Sequence, residues 1–206
     1  MTISGVILAA GSSSRLGRPK QLLPLAGRPL LAHTVTNAVA SSLDDVILVL
    51  GHRAEEIAAA VGEQGQRTTI NPDYASGQST SVLAGLAALP DSANAVLFLL
   101  GDQPSVTPAV IDTLLDAYRA DPAPIMVPVY GGERGNPVLF DRALFPELRQ
   151  VSGDEGARTI VRAHAGEVRP VPVPGAAPPQ DVDTEADYAR LLAAWSVASL
   201  DDIEPR

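Results

Sequence analysis

Four short runs of apolar residues, none of which alternates with polar residues, are spaced along the first two thirds of the chain. They are Ser4–Ala9, Asp45–Leu50, Ala95–Leu100 and Pro124–Pro128. Continuous apolar runs of this length are typical of strands that are buried on both faces of a sheet. The pattern therefore predicts the central strands of a mainly parallel sheet.

Longer segments between these runs carry apolar residues at helical spacing. The predicted helices are Pro29–Ala40, Ala54–Val61, Ser79–Leu89 and Pro108–Tyr118. Thr107 places a hydroxyl at an N-cap directly before a proline, which fixes the start of the last of them. Alternating strands and helices predict a three-layer, Rossmann-like α/β fold with helices on both faces of the sheet, and ligands bind such folds beyond the carboxyl ends of the strands.

The last third of the chain departs from this regular alternation. The pattern predicts a hairpin-like excursion at the sheet edge, a turn followed by a helix, a further strand, a proline-rich loop and a final helix capped by Thr184. The corresponding segments are Tyr130–Phe140, Ser152–His164, Val168–Val173, Pro170–Pro179 and Glu185–Trp195.

Length and composition limit the class of protein. With 206 residues, 46% hydrophobic and 19% charged, the chain is expected to form one domain over residues 1–197, followed by a flexible acidic tail over 198–206. The formal net charge of -9 disfavours nucleic acid and anionic membranes as partners. No segment approaches the roughly 20 apolar residues that span a bilayer, so we expect a cytoplasmic protein. Without cysteine, any metal must bind through oxygen or nitrogen.

A loop rich in glycine and serine follows the first predicted strand. Gly11, Ser12 and Ser13 offer backbone amides that can approach phosphates closely, and Arg15 and Lys20 can neutralise their charge. The spacing matches neither GxxxxGK[ST] nor GxGxxG. The loop therefore predicts a triphosphate cradle of another kind, the alternative being a mobile surface loop with solvated basic residues.

Two carboxylates stand at the ends of predicted elements. Asp102 comes directly after the Ala95–Leu100 strand, where a Mg²⁺ ion that bridges phosphates would lie, although an aspartate here can also simply end a strand. Asp183 stands before the last helix and could equally favour the helix dipole. Asp181 is a weaker candidate, because alternation in an extended segment would point it away from Asp183. The three histidines, His33, His52 and His164, lack metal-ligand spacing.

Several blocks of the sequence resemble one known family. The string LAAGxSxRLGxPKQLLPLxGxPLL from Leu8 resembles the MobA-like nucleotidyltransferases, and within them the molybdenum cofactor cytidylyltransferases. The resemblance continues through NPDYASGQSTSVLAGL, LLGDQPSVTPAVI, GERGNPVLF, GDEGAR and DVDTEADYARL. Nearly the whole chain is covered, in the family's order and spacing.

The resemblance implies roles for particular residues. Lys20, Arg15 and Asp102 would be catalytic, and Asp102 and Asp183 would hold Mg²⁺. The nucleotide would contact Leu8, Ala9, Ala10, Gly11, Ser12, Ser13, Lys20, Gly77 and Ser81. Ser81 could instead be an ordinary first-turn serine. Alanine at Ala10, where guanylyltransferases of this type tend to carry glycine, favours CTP over GTP.

The acceptor implied by the resemblance is a molybdopterin-type cofactor. Gly135, Asn136, Gly153 and Asp154 are the candidate residues on its side, although both glycines could be turn residues without ligand contact. Related sequences commonly have histidine in place of Asn136, and this departure leaves the acceptor open.

The implied reaction is in-line attack of the acceptor's terminal phosphate on the α-phosphorus of CTP, with release of pyrophosphate. A molybdenum hydroxylase would be the partner that receives the product. The alternatives are a GTP-dependent guanylyltransferase with molybdopterin or phospholactate as acceptor, a non-catalytic molybdopterin carrier, and an oxidoreductase relative. The missing GxGxxG motif argues against the oxidoreductase.

Overall fold

A twisted sheet of eight strands forms the centre of the computed structural model, which describes residues 1–201, with side chains to residue 196. The strands of this sheet are β1 (Thr2–Leu8), β4 (Asp45–Leu50), β5 (Arg67–Ile70), β6 (Ala93–Leu100), β7 (Ile125–Tyr130), β8 (Glu133–Arg134), β9 (Val138–Asp141) and β10 (Val168–Pro172). Two further short strands, β2 (Pro24–Leu25) and β3 (Arg28–Pro29), pair with each other in a separate hairpin.

Within residues 1–201, seven α-helices connect or follow the strands. They are α1 (Leu30–Val39), α2 (Ala54–Val61), α3 (Gln78–Ala87), α4 (Pro108–Ala120), α5 (Phe145–Leu148), α6 (Arg158–Ala163) and α7 (Glu185–Asp201). Neither β5 nor α5 is predicted by the sequence pattern. No helix within residues 1–201 is long and apolar enough to cross a bilayer.

The strands lie in the order β10-β7-β9-β6-β1-β4-β5, and β8 pairs with β7. β1 is parallel to β4 and β6, and Val6 lies opposite both Ile47 and Phe98. β9 is antiparallel to both of its neighbours. The prediction of a mainly parallel sheet is therefore confirmed.

The position of β9 corrects the prediction of a hairpin-like excursion at the sheet edge. The segment does turn back after β7, and β8 pairs with β7, but β9 lies between β6 and β7. Leu139 and Phe140 are completely buried there. A hairpin pattern in the sequence shows only that the chain reverses direction. It does not show which strands β9 pairs with, and the pairing with β6 and β7 is what buries these apolar side chains.

Two apolar cores cover the two faces of the sheet. One is formed with side chains of α1, α2 and α4, and the other with side chains of α3, α5 and α6. This arrangement confirms the predicted three-layer α/β fold. It also leaves the carboxyl ends of β1, β4 and β6 as one open edge of the molecule.

The start of α7 is fixed by its own cap and by a small third core. Thr184 Oγ1 accepts a hydrogen bond from the N–H of Asp187, and Asp187 Oδ2 accepts from the N–H of Thr184, so the predicted cap is present. Val182 and Tyr188 form this core with Leu23 and with Leu30, the first residue of α1. The helix continues beyond the predicted end at Trp195, so the predicted tail begins within it; residues 202–206 lie outside the described residues.

Candidate active site

A cleft of about 630 Å³ lies at the carboxyl ends of β1 and β6. Its walls come from the loop after β1, the residues after β6, the start of α3 and the segment from Asp181 to Asp183. The location agrees with the expectation that ligands of open α/β sheets bind beyond the strand ends.

The loop after β1 forms the floor of this cleft. All the loop residues that the sequence singled out, from Leu8 to Ser13 and including Arg15, line it. The end of β1 is fixed by backbone hydrogen bonds, since the N–H of Ala9 donates to Val49 O and the N–H of Gly101 donates to Leu8 O, both at 3.0 Å. A Cβ at Gly101 would lie 2.8 Å from the Cβ of Ala9, so the strand that carries Asp102 can approach the loop only with glycine at this position.

Lys20 brings the two predicted carboxylates together. Its Nζ lies 2.5 Å from Asp102 Oδ2 and 2.9 Å from Asp183 Oδ1. Arg15 Nη1 approaches the other oxygen of Asp183 at 3.1 Å, from the exposed side of the cleft. Residues from the start, the middle and the end of the chain thus form a single charged cluster.

Burial and charge act against each other in this cluster. Burial works to lower the pKa of Lys20, but Asp102 and Asp183 outweigh burial and raise it above the ordinary value. Burial raises the pKa of Asp102, and Lys20 offsets only part of that effect. The hydrogen bond from Lys20 is the main reason why the pKa of Asp183, which is more exposed, is lowered.

The donor set fits a magnesium-type cation. Asp102 and Asp183 each place a carboxylate oxygen against the same ammonium nitrogen, so one cation can be shared between them. Among the described residues no group of three histidine, aspartate or glutamate side chains could hold a metal ion. Mg²⁺ commonly binds through one or two carboxylates and completes its octahedral coordination with water and substrate phosphates.

The start of α3 forms the opposite wall. Ser81 is buried and accepts a hydrogen bond from Asn71 Nδ2 at 3.0 Å, so its own O–H is left to donate. Gly77 has a positive φ of 110°, and a Cβ there would lie 2.7 Å from Gly153 O and 2.8 Å from Asp154 Oδ1. Glycine is therefore required where the Gly153–Asp154 turn contacts this helix.

The predicted acceptor residues are divided between several places. Asp154 lines the cleft at the ends of β1 and β6, whereas Asn136 lines a small adjoining pocket of about 50 Å³ that shares Leu8 with it. Gly135 packs against the ring of Tyr130, and Gly153 O accepts from the N–H of Ser79. Neither glycine lines these two cavities.

Asp181 lies closer to the site than alternation suggests. It lines the main cleft together with Asp183, and Gln103 Nε2 donates to its Oδ1 at 2.7 Å. The segment from Asp181 to Asp183 is an irregular loop rather than a strand, so its side chains do not alternate between two faces. None of the histidines lines the cleft.

Several further residues that line the cleft were assigned no role by sequence reasoning. Those with long or aromatic polar side chains are Gln21, Tyr74, Gln78 and Arg158. Each lies next to or within a block that carries the family resemblance. Proximity to those blocks is the only signal in the sequence that could have identified them.

Comparison with known proteins defines the class. Residues 5–168 match the model of the MobA-like NTP transferase domain, and the chain belongs to this family. It is 35% identical to the nicotine blue oxidoreductase of Paenarthrobacter nicotinovorans, over 92% of this chain and 96% of that protein. It is 29% identical to the purine catabolism protein PucB of Bacillus subtilis, over 93% and 97% of the two chains.

Solved structures of similar proteins have the same fold as this chain. Rv0371c of Mycobacterium tuberculosis H37Rv superimposes with a TM-score of 0.85 at 38% identity, covering 94% of this chain and 99% of that one. A second structure of Rv0371c is a complex with manganese, with a TM-score of 0.82 over 94% and 100% of the chains, at 36% identity. Divalent metal binding is thus found within the family.

Proposed function

We propose that the protein is a Mg²⁺-dependent nucleotidyltransferase that transfers CMP from CTP to the terminal phosphate of a molybdopterin cofactor. The observation that carries this proposal is the pair of carboxylates, Asp102 and Asp183, held around Lys20 in a cleft floored by a phosphate-type loop. The manganese complex of the similar Rv0371c supports a divalent cation as part of this function.

The residues of the cleft divide the work of an in-line displacement. Asp102 and Asp183 would hold Mg²⁺, which when bound supplies positive charge against the triphosphate. Lys20 and Arg15, the two basic side chains beside these carboxylates, would contact phosphate oxygens. An oxygen of the acceptor phosphate bonds to the α-phosphorus while the bond from that phosphorus to the bridging oxygen breaks, and pyrophosphate leaves. The attacking phosphate is already a nucleophile, so positioning and charge stabilisation are what the protein must provide.

The remaining predicted contacts would serve the two substrates. The main chain of Leu8–Gly11, together with Gly77 and the O–H of Ser81, lines the cleft and would contact the nucleotide. Ala10, in the position where the resemblance favours cytidylyl transfer, supports CTP as the donor. Asp154 in the cleft and Asn136 in the adjoining pocket would contact the acceptor.

The decisive experiment identifies the product. The protein is incubated with Mg²⁺, molybdopterin cofactor and each of CTP, GTP, ATP and UTP, and products are measured by mass spectrometry. A CMP adduct with pyrophosphate supports the proposal, whereas a GMP adduct replaces it with the guanylyltransferase alternative. Asp102→Asn should lower turnover about a hundredfold or more, because it removes one metal ligand, while Asp116→Asn on the exposed face of α4 should leave turnover unchanged. An active Asp102→Asn protein would contradict the metal assignment.

The second candidate is an oxidoreductase, because nicotine blue oxidoreductase is similar to this chain over almost its full length. Hydride transfer does not require two carboxylates around a lysine, and the dinucleotide motif GxGxxG is missing from the loop after β1. Consumption of NADH or NADPH with an oxidised aromatic substrate, without release of pyrophosphate from any nucleotide, would favour this candidate instead.

A further inference from the structure

Gln21 is a buried polar side chain beneath the loop that follows β1, directly after Lys20 in the sequence. Only 3% of its surface is exposed. Its Nε2 donates to Ala9 O and to Gly11 O, both at 2.9 Å. Both N–H donors of the carboxamide are therefore used on the main chain of the loop.

Ser13 completes the connection between the loop and Lys20. Its Oγ accepts a hydrogen bond from the N–H of Lys20 at 3.0 Å and donates to Gln21 Oε1 at 3.3 Å. The φ of Ser13 is 55°, in the left-handed region that non-glycine residues rarely adopt. The side chain of Ser13 thus holds a turn of the loop against the segment that carries Lys20, in a conformation that needs such support.

These contacts have an electrostatic consequence for an anionic ligand. A phosphate cradle needs backbone N–H groups directed at the ligand, and carbonyl oxygens directed at it would repel the phosphates. Gln21 binds the carbonyls of Ala9 and Gly11 with a neutral donor, without adding negative charge to the cleft. Glutamate would fit the same space but would lack this donor and would carry a negative charge.

We propose that Gln21 is a positioning residue that, together with Ser13, holds the loop from Ala9 to Ser13 in the form that binds a nucleoside triphosphate before the ligand arrives. This inference rests on the proposed function, because it takes the ligand of the loop to be a triphosphate. Gln21 acts through the main chain of the loop and through Lys20, and it need not touch the nucleotide.

The test compares Gln21→Met with a matched variant elsewhere in the chain. Methionine has a similar length and no hydrogen-bonding amide. Gln66→Met is the control, because Gln66 also donates to a main-chain carbonyl, Gly62 O at 2.8 Å, and accepts from a main-chain N–H, that of Gln64 at 2.9 Å. This surface turn lies away from the cleft, so any general effect of losing a glutamine that holds a loop is measured separately.

The first measurement is equilibrium binding of CTP with Mg²⁺, well below the melting temperature. If the binding-competent loop falls to about a tenth of the population in Gln21→Met, the Kd rises about tenfold. Gln66→Met should bind like the wild type. In turnover, the KM for CTP should rise while the KM for the acceptor stays unchanged, and hydrogen exchange should become faster at the amides of the loop. A purely structural role would lower the melting temperature without these selective changes.

Two further variants keep the proposal open to refutation. Gln21→Glu should weaken CTP binding more than Gln21→Met, and Ser13→Ala should weaken it in the same direction but less. Wild-type CTP affinity in a folded Gln21→Met protein overturns the inference. If Gln21→Met does not fold, wild-type affinity in Ser13→Ala overturns it instead.

The same measurements separate this inference from the proposed function. A selective loss of CTP affinity without any nucleotidyl transfer by the wild type supports the positioning role and overturns the proposed function. Nucleotidyl transfer that is insensitive to Gln21→Met supports the proposed function and overturns the positioning role of Gln21. A wild-type protein that binds none of the four nucleotides overturns both.

Discussion

Removing the charge of Lys20 should destabilise the protein, because this ammonium separates two carboxylates. Lys20→Met keeps most of the aliphatic side chain and leaves Asp102 and Asp183 facing the same space without a cation. The side chain of Lys20 is 20% exposed, against 11% for Asp102 and 31% for Asp183. Breaking a fully buried pair costs about 3–5 kcal/mol, and with this partial exposure we expect a loss of about 2–3 kcal/mol.

The loss can be measured as a change in melting temperature. For a domain of this size each kcal/mol corresponds to about 2–4 °C, so Lys20→Met should melt about 4–12 °C below the wild type in the absence of divalent ions. Mn²⁺ should then raise the melting temperature of Lys20→Met more than that of the wild type, because the metal replaces the missing cation and binds the folded state.

A double variant provides the internal control. Lys20→Met combined with Asp102→Asn removes one of the two facing charges, so it should recover part of the lost stability and lose part of the response to Mn²⁺. If Lys20→Met melts at or above the temperature of the wild type, the carboxylates do not depend on Lys20 as the distances indicate, and the reasoning fails.

Two other predictions concern sites away from the cleft. When protonated, the ring of His164 donates hydrogen bonds to Glu147 and Glu167, and these bonds raise its pKa. The stability that His164 adds should therefore be fully present below its unfolded pKa of about 6.5 and should disappear as pH rises through the raised value. The test compares the melting temperatures of His164→Gln and the wild type at pH 5.5 and at pH 9. An equal difference in melting temperature at both pH values would count against the prediction. The hydroxyl of Tyr118 donates to Asp141 from a buried ring, so Tyr118→Phe should lower the free energy of unfolding in urea by about 1–2 kcal/mol, and an unchanged midpoint would show that water replaces the bond.

The elements best predicted from the sequence are those with a strong local pattern. β4 and α2 have the predicted bounds, because a continuous apolar run and a regular helical stripe both determine their own length. β5 was missed because its sequence, RTTI, is short, polar and largely exposed at the sheet edge. The place of β9 inside the sheet depends on pairing with β6 and β7, and no local pattern contains that information.

The site shows the same division between local and long-range information. The sequence identified Lys20, Asp102 and Asp183 as candidates, and the structure brings them together. The sequence could not show that Arg15 contacts Asp183, because that contact joins residues far apart in the chain. Ser13 was predicted to contact the nucleotide in a loop whose backbone amides approach the phosphates, and that role stays a prediction. The structure shows its hydroxyl engaged with the main-chain N–H of Lys20 and with Gln21.

The joining of both ends of the chain at the cleft has a consequence for synthesis on the ribosome. Arg18 in the first loop pairs with Glu185 at 2.8 Å, and Tyr188 donates to Pro24 O. A nascent chain released after β10 would already contain every strand of the sheet, yet it would lack Asp183 and both of these attachments. Such a fragment would contain only one of the two carboxylates that we propose hold the metal. On this proposal, translation must pass the start of α7 before the site is complete.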